Sequence, residues 1–456
     1  MDFIGLTFFV VVAIALLAVR REYAPVPLLV GCCYMTMGQG LELGVISLPM
    51  YRMFLLVGVI RVVMKGESLV GGMNRVDKLV LALMAWMFFA SLFHEYEPGS
   101  GPLYTLGIIF NISSIYFLIR IWSGSVDEVV GLVAAVGFVL LPVAVEMMVE
   151  QAVGKNLFAS LGGIPETVIE RNGRLRAQGP FRHPILAGTV GATCLPLMLG
   201  IWRSNRMAAM IGASACVMMV LASASSGPVV SLLVGAGVVM CWRFRRFAKR
   251  AVWAGVAGYI LIELISTRPA YHVVVTRLDF TGSSTAYYRA RLIDTTVKHF
   301  SEWWMFGTDY TRHWIPTGIG SVLANGKHID VTNYYIGFGI GAGLLAILLV
   351  LAIIRRCLAD VIEHVNDEEG EDAHGEKFMI WCLGASLFSH AVSALSIAYF
   401  DQSQTFFWLS VATLSSLLAV HGKSAARETV GDGGPAAAPT WETTSGAGWV
   451  NPLERR

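Results

Sequence analysis

Long apolar runs recur from one end of this sequence to the other, and they constrain the fold more than any other feature. Most approach or reach the roughly 17–25 residues that an α-helix needs to cross a bilayer core of about 30 Å. A transmembrane barrel needs short alternating strands instead, whereas these runs are continuous. Only 14% of the residues are charged, against about 25% in soluble domains. The sequence therefore predicts an all-α, polytopic bundle of transmembrane helices.

By length and hydropathy, the bundle is predicted to have about 12–13 spans. The predicted spans are approximately Phe3–Val19, Pro25–Gln39, Ile46–Met64, Lys78–Phe93, Leu103–Trp122, Glu128–Val149, Pro184–Trp202, Met207–Ala222, Pro228–Trp242, Val252–Ile265, Tyr335–Ile354, Phe378–Tyr399 and Thr405–Val420. The first span has no basic region before it and no small-residue cleavage signal after it. We therefore expect it to be a retained helix rather than a cleaved signal peptide.

Basic residues predict which side of the membrane each connection faces. Alternate connections carry Arg20, Arg21, Lys65, Arg75, Lys78, Arg120, Arg203, Arg206, Arg243, Arg245, Arg246, Lys249, Arg250, Arg355 and Arg356. By the positive-inside rule these connections are cytoplasmic, so the N-terminus is outside and the C-terminus inside.

This alternation also divides the chain into segments. They are the N-terminal helices 1–150, a basic outer loop 151–183, central helices 184–265, a long outer loop 266–333, C-terminal helices 334–421 and a tail 422–456. The tail is rich in Gly, Ala, Pro and Thr, and we expect it to be disordered. None of the seven cysteines lies in either large loop, so no disulfide framework and no cysteine-based metal site is predicted there.

The two outer loops contradict the positive-inside pattern, because both are rich in arginine. The first carries Lys155, Arg171, Arg174, Arg176 and Arg182, and the second Arg268, Arg277, Arg289, Arg291 and Arg312. One interpretation is the ordinary surface charge of long soluble loops, on which topology is less strict. The other is an anionic ligand at the outer surface, because the guanidinium fork pairs with phosphate oxygens and stays charged.

The first loop runs into a helix at a short motif. Gly179-Pro180 predicts a turn, and His183-Pro184 predicts the helix start, where proline at the first turn loses no hydrogen bond. An anion here would also face helix N-terminal amides. Arg182 and His183 could equally cap the helix or lie at headgroup depth.

Two more motifs lie in the second loop. The segment from Tyr287 to Phe300 predicts an amphipathic surface helix. The run after it, Trp303-Trp304-Met305-Phe306, favours anchoring in the membrane interface over stacking on a sugar. Towards the end of the loop, His328 and Asp330 are the best-placed pair for proton transfer, and Asn333 could be a simple helix cap.

In their order and sidedness, these motifs resemble the O-antigen ligase and bacterial polysaccharide polymerase superfamily. The resemblance covers roughly Arg174 to Ile354. It is carried by Arg176 with Gly179, Phe181 and Pro184, by Arg289 with Gly307, by Asp330 to Asn333, and by Gly341 to Gly343.

The resemblance implies a metal-independent, inverting glycosyl transfer on the periplasmic face of the bacterial inner membrane. The donor would be a glycan on undecaprenyl diphosphate, and Arg176 and Arg289 would hold the diphosphate. The acceptor would be a glycan or lipid, with a chain-length regulator and other assembly proteins as further partners; no cofactor and no nucleic acid is expected. The implied catalytic residues are His328, Asp330 and Arg289, and the implied substrate-binding residues are Arg174, Arg176, Arg182, His183, Arg291 and Asn333.

Two positions depart from the family pattern. Thr332 stands where many members have a histidine, so His328 or Asp330 would have to be the base. Ser226 stands where an arginine is common, which moves the chain towards the polymerase-like relatives.

Two other functions remain open from the sequence. A lipid-linked glycan flippase or exporter needs ionisable groups along a path through the membrane. The candidates for such a path are Arg52, Arg61, Glu146, Glu263 and His390. A non-catalytic scaffold for envelope assembly is the third possibility.

Overall fold

The computed structural model describes residues 1–44, 46–95, 101–171, 173–277, 284–315, 327–367 and 375–431. The fold is mostly helical. The first part of the chain contains α1 (Phe3–Ala18), α2 (Pro25–Cys33), β1 (Gly40–Leu43), β2 (Ile46–Pro49), α3 (Met50–Lys65), α4 (Arg75–Ser91), α5 (Gly101–Trp122) and α6 (Val126–Val153). The middle contains β3 (Ile169–Arg171), β4 (Arg174–Arg176), α7 (Pro184–Gly200), α8 (Arg206–Ala222), α9 (Ser226–Met240) and α10 (Ala248–Ile265).

The remaining helices belong to the second loop and the C-terminal part. They are α11 (Ala270–Arg277), α12 (Ser284–Lys298), α13 (Phe300–Trp303), α14 (Tyr334–Val365), α15 (Glu376–Ser393) and α16 (Gln404–Gly431). Short 3-10 segments occur at Arg21–Tyr23, Leu157–Leu161, Cys241–Phe247 and Arg312–Trp314. Disorder was predicted for the tail 422–456. That prediction is wrong for residues 422–431, which belong to α16, and residues 432–456 lie outside the described residues.

Within the part of the chain that the structure describes, four helical segments are long and apolar enough to cross a membrane. They are Gly101–Trp122, Val126–Val153, Ser226–Ile265 and Tyr334–Val365. Shorter apolar helices accompany them at Phe3–Ala18, Pro184–Gly200, Arg206–Ala222 and Gln404–Ala419. These segments indicate a membrane protein, because they match the span length of a bilayer.

Each predicted span overlaps a helix, but several of the predicted boundaries are wrong. Helix α2 ends at Cys33, well before Gln39. The run predicted to start at Ile46 begins with a strand, since Ile46–Pro49 pairs with Gly40–Leu43 in an antiparallel hairpin. The positive φ of Gly44, 64°, permits the tight turn between these strands. Helices α9 and α10 are joined by the 3-10 segment rather than by an open loop.

Contacts gather one set of alternate connections into what we call the loop end of the bundle. Gln39 Nε2 donates to the carbonyl of Leu161 at 2.8 Å. Gln402 Nε2 donates to the carbonyl of Pro180 at 2.8 Å. Further contacts of this kind join His94 with Asp309, Lys327 with Glu95, Arg182 with Asp401, and Asn333 with Leu395.

The basic connections meet one another elsewhere in the bundle. Arg21 Nη2 donates to the carbonyl of Ile121 at 2.6 Å, and Arg120 Nη2 donates to the carbonyl of Gly72 at 3.1 Å. Arg245 Nε likewise donates to the carbonyl of Val365 at 3.3 Å. The alternation of connections read from the sequence is thus matched by two separate sets of contacts.

Helix α14 is broken near its N-terminal end, and the second loop binds at the break. Ala342 and Gly343 have non-helical backbone angles. The carbonyl freed at Ala342 accepts a hydrogen bond from Trp86 Nε1 at 2.7 Å, and the Leu344 amide donates to the carbonyl of Trp304 at 2.8 Å. Irregular backbone inside a membrane helix is tolerated where neighbours satisfy it in this way.

The second loop forms a small hydrophobic core together with the start of α14. Its buried members are Leu292, Trp303, Trp314, Ile315, Ile329, Ile336 and Ile340. The predicted amphipathic helix is present as α12. The prediction that the tryptophan pair anchors in the interface is wrong for Trp303, which is buried in this core and donates from Nε1 to the carbonyl of Thr296 at 2.9 Å. Trp304 is exposed.

Candidate functional site

The segment between β4 and α7 is buried and fixed by side chains that lie far away in the sequence. The Glu150 carboxylate accepts hydrogen bonds from the amides of Gln178, at 3.0 Å, and Gly179, at 2.7 Å. Asn156 Nδ2 donates to the carbonyl of Gly179 at 2.9 Å. Gly179 has a positive φ of 56°, which favours glycine at this turn. These bonds fix the backbone that carries Arg176.

Arg176 is the predicted site residue with the most unusual surroundings. It is only 5% exposed, and its Nη2 donates to Ser225 Oγ at 2.7 Å. Its Nε is buried without a hydrogen-bond partner in the described residues. Burial, and then the charge of Arg171, lowers the pKa of the Arg176 guanidinium. In the parts of the chain described, no carboxylate forms a salt bridge with it.

Ser225 lies in the small-residue turn between α8 and α9, and Ala224 in that turn has a positive φ of 43°. The amide of Ala177 donates to the carbonyl of Ala222 at 2.9 Å, so the end of β4 is held directly against this turn. A positive φ is costly for alanine, and the turn therefore carries local strain beside Arg176.

His183 caps α7 and lies close to Arg176. Its Nδ1 accepts a hydrogen bond from the Ile185 amide at 3.1 Å, so the proton of the neutral ring is on Nε2. Burial, followed by the charges of Arg176 and Arg171, lowers the pKa of His183 to about 4. The imidazole is therefore neutral at pH 7. The structure bears out the capping interpretation and still leaves an N–H donor near the guanidinium.

The two other arginines predicted for this loop have different surroundings. The side chains of Arg174 and Arg182 are both exposed. The backbone amide of Arg182 donates to Asp401 Oδ2 at 2.9 Å. Their side chains are thus available at the surface, and only Arg176 is enclosed.

The second group of candidate residues surrounds His328. Its Nδ1 lies 3.3 Å from Thr311 Oγ1. His94 Nδ1 lies 2.7 Å from Asp309 Oδ1, and Lys327 pairs with Glu95 at 3.2 Å. Burial lowers the pKa of His328, with Lys327 and His94 contributing, although the charge of Asp309 opposes them. A neutral imidazole at pH 7 is the form that can accept a proton.

Helix α12 is held against the same segment. Tyr288 Oη donates to the backbone carbonyl of Asp330 at 2.6 Å. Burial, and then the charge of Asp330, raises the pKa of Tyr288 to about 12. Arg289 and Arg291 follow Tyr288 on α12 and are both half-buried. The structure therefore places both arginines on the helix that contacts Asp330.

Asn333 caps α14, which was the simpler of its two interpretations. Its Oδ1 accepts from the Ile336 amide at 3.0 Å, and its Nδ2 donates to the carbonyl of Leu395 at 3.1 Å. Since both ends of the amide are in use, its binding role stays a prediction.

The two loops are joined through the connection between α15 and α16. Leu395 in this connection binds Asn333, while Asp401 and Gln402 bind the turn at residues 180–182. Asp401 is fully buried, and burial raises the pKa of its carboxyl against the opposing hydrogen bonds of Ser403 and Arg182. This short connection contacts both predicted halves of the site, the turn at residues 180–182 and the end of the second loop at Asn333.

Sequence reasoning missed the residues that position this site. They are His94, Glu150, Asp309, Asp401 and Gln402. Glu150 lies near the end of an apolar helix, and an acid in such a helix is a signal worth following. The others are separated from their partners by more than 200 residues. Residue spacing along the sequence therefore cannot predict these pairs.

No protein-family model matches this chain, and no curated protein matches it. What the fold and site define is therefore a class: a mostly helical membrane protein with an enclosed arginine at the loop end of its bundle. The activity of this class member has to be argued from its own residues.

Proposed function

We propose that this protein transfers a glycan from undecaprenyl diphosphate to an acceptor hydroxyl, in polysaccharide polymerisation or ligation. The proposal places it in the inner membrane of a bacterium as a multi-pass protein, with the loop end facing the periplasm. The observation that carries it is the enclosed guanidinium of Arg176, which forms no salt bridge with the described residues.

A buried cation without a counter-ion costs several kcal/mol by order of magnitude. An anionic ligand that enters the site removes this cost, and a diphosphate offers the paired oxygens that suit a guanidinium. Interactions that strengthen as negative charge develops on the leaving group accelerate the reaction. Arg176 is thus suited to a diphosphate leaving group, with the Nε2–H of His183 as a second donor nearby.

The acceptor needs a base, and His328 is the best-supported candidate. In the transfer, the acceptor oxygen attacks the anomeric carbon and forms the new glycosidic bond. The bond from that carbon to the diphosphate oxygen breaks, and undecaprenyl diphosphate leaves with the electron pair. The hydroxyl proton passes to neutral His328, whose lowered pKa keeps it ready to accept one at pH 7. Asp330 remains the alternative base, and Arg289 the second candidate diphosphate ligand.

The flippase alternative has less support from the contacts of its candidate residues. Arg61 pairs with Glu67 and also binds the carbonyl of Val19. Arg52 donates to Asn111 at 2.9 Å, and His390 contacts Tyr399 at 2.8 Å. Each of these three residues has a local partner within the protein, although His390 Nε2 is buried without a hydrogen-bond partner in the described residues. A transport path needs groups that face an aqueous cavity.

Replacement of Arg176 tests the proposed function. In cells that depend on this protein, Arg176→Ala should abolish long glycan chains, and lipid-linked units should accumulate on the outer face. Lys155→Ala is the matched control, because it removes an exposed cation of the same loop, one that pairs with exposed Glu166. Glycan length on gels and accessibility of lipid-linked units to an external glycosidase are the measurements. Normal polymer from Arg176→Ala would refute the transferase, and units trapped inside would favour the flippase.

A further inference from the structure

Another cluster of ligand-type side chains lies just beyond the C-terminal end of α12. His299 follows α12, Glu302 is in α13, and His313 is in the 3-10 segment Arg312–Trp314. His299 Nδ1 lies 2.7 Å from Glu302 Oε1, and His313 Nε2 lies 3.2 Å from the same oxygen. One ligand atom from each residue can be chosen so that all three lie within 4.8 Å of one another.

Aromatic neighbours hold the two imidazole rings in place. His299 stacks on Trp314, with ring centroids 5.5 Å apart and planes 11° apart. His313 stacks on Tyr310 at 5.4 Å and 7°. The two imidazoles are nearly perpendicular, at 89°. Ligand rings fixed in this way lose little freedom when they bind an ion.

The carboxylate of Glu302 is also oriented by a neighbour. Trp314 Nε1 donates to Glu302 Oε2 at 2.9 Å. Oε1 lies within 3.2 Å of both ring nitrogens, and Oε2 also lies 3.0 Å from His313 Nε2. Ligand carboxylates in metal sites are commonly hydrogen-bonded in this way by an outer group.

We propose that His299 Nδ1, Glu302 Oε1 and His313 Nε2 bind a zinc ion. Two imidazoles and one carboxylate form an established zinc ligand set, with bonds of about 2.0–2.2 Å. In a tetrahedral site of that size neighbouring ligand atoms lie about 3.3–3.5 Å apart. The carboxylate oxygen, at 2.7 Å and 3.2 Å from the two ring nitrogens, would therefore move slightly away from them, and all three ligand atoms already lie within 4.8 Å of one another. Calcium and magnesium prefer ligand sets made of oxygen alone. His299 is partly exposed and His313 exposed, which leaves access for water as the fourth ligand.

The zinc ligands are different residues from those proposed for glycosyl transfer, although the amide of Arg312 donates to the carbonyl of Lys327, next to His328, at 3.0 Å. Arg289 lies ten residues before His299 in the sequence, which is about 15 Å along a helix. Because its ligands come from three elements, the ion would have a structural role: it would join the end of α12 to α13 and to the 3-10 segment. Trp314 belongs both to this cluster and to the hydrophobic core of the loop, so zinc binding would stabilise that core by mass action.

The proposal depends on the geometry of this loop alone and not on the proposed glycosyl transfer. The cysteine positions excluded only a cysteine-based metal site in the two loops, and a site made of histidine and glutamate was not predicted from the sequence. The missed signal is the spacing His299-x-x-Glu302, which places two ligands on one side of a helical turn.

Zinc titration of the purified full-length protein tests the site. The protein is stripped with a chelator in detergent and titrated with zinc chloride, and bound zinc is counted by elemental analysis. One zinc per chain is expected. The double variant His299→Ala, His313→Ala should bind zinc at least tenfold more weakly than the wild type. Glu302→Gln should lose at least as much affinity although both imidazole rings are still present. Trp314→Phe should weaken binding about 10–100-fold, the usual effect of losing an outer-sphere partner.

His364→Ala is the matched control, because it removes a histidine of α14 outside the cluster, and its zinc affinity should be unchanged. Limited proteolysis gives a second measurement: zinc should slow cleavage within Ser266–Asn333 in the wild type but not in the double variant. A wild type without stoichiometric zinc would overturn the proposal, as would equal zinc binding by the double variant or displacement of zinc by excess calcium. Zinc binding that persists in an inactive Arg176→Ala protein separates this proposal from the transferase.

Discussion

At the scale of single residues, the account depends on two neighbouring groups whose charges are controlled by burial. Arg176 keeps its charge but loses solvent, and the pKa of its guanidinium is lowered. His183, beside it, is kept neutral because burial and two arginines disfavour the imidazolium. A neutral donor next to a buried cation is a suitable arrangement for an anion that arrives with its own negative charge.

The His183 arrangement predicts a loss of stability in acid. The pKa of His183 is about 4 in the folded protein, against an ordinary value of 6.5, so the unfolded chain binds the proton more readily. Stability should fall as the pH drops from about 6.5 towards 4. His183→Asn keeps a side-chain cap for α7 and removes this titration. Melting temperatures in detergent at pH 8 and pH 5 measure this effect. Between pH 8 and pH 5 the melting temperature of the wild type should fall further than that of His183→Asn. An equal fall in both proteins would show that His183 does not cause the acid sensitivity.

At the scale of elements, the break in α14 shows how one glycine positions a loop. Gly343 has a positive φ of 77°, and a Cβ there would collide with the carbonyl oxygen of Met305. The break lets the backbone of Trp304 to Thr308 bind α14 directly, through Leu344 and Ile340. The loop that carries Arg289 is thereby attached to α14 through its interior residues Trp304 and Thr308 as well as at Asn333.

Replacement of Gly343 by alanine should therefore be strongly destabilising. The left-handed backbone costs an alanine about 1–2 kcal/mol, and the collision with Met305 adds to that. Gly341→Ala is the matched control, since a Cβ at Gly341 meets nothing within 4 Å. Thermal unfolding in detergent should show a clear loss for Gly343→Ala and little change for Gly341→Ala. Equal stability of the two variants would show that the break is not required.

The same elements show what the sequence can predict. Continuous apolar runs predict helices reliably, because length and hydropathy are local properties, and every predicted span overlaps a helix. The hairpin at Gly40–Pro49 was missed because Ile46–Pro49 is as apolar as the helix that follows it. The interface position predicted for Trp303 is wrong because a tryptophan in a short aromatic run can be either an exposed anchor or a core residue. The sequence is the same in both cases, and the hydrogen bond to Thr296 shows that Trp303 is a core residue.

At the scale of the whole molecule, the described contacts sort the connections into two sets, with both arginine-rich loops in one of them. The sequence predicted this sorting through the alternation of basic residues. It could not predict the partners that complete the site, such as Asp401 for Arg182 or Asp309 for His94, because those pairs join distant parts of the chain. Site residues were therefore predictable by type and loop, and their positioning residues were not.

In the proposed function, the loop end of the protein breaks the bond between a sugar and diphosphate and forms a new glycosidic bond to the acceptor. The most direct test of this proposal is reconstitution of the purified protein in liposomes with a lipid-linked glycan donor and no nucleotide. The account predicts longer glycan chains together with one undecaprenyl diphosphate released for each new bond, and neither from Arg176→Ala. Movement of intact donor across the bilayer with no released undecaprenyl diphosphate would contradict it.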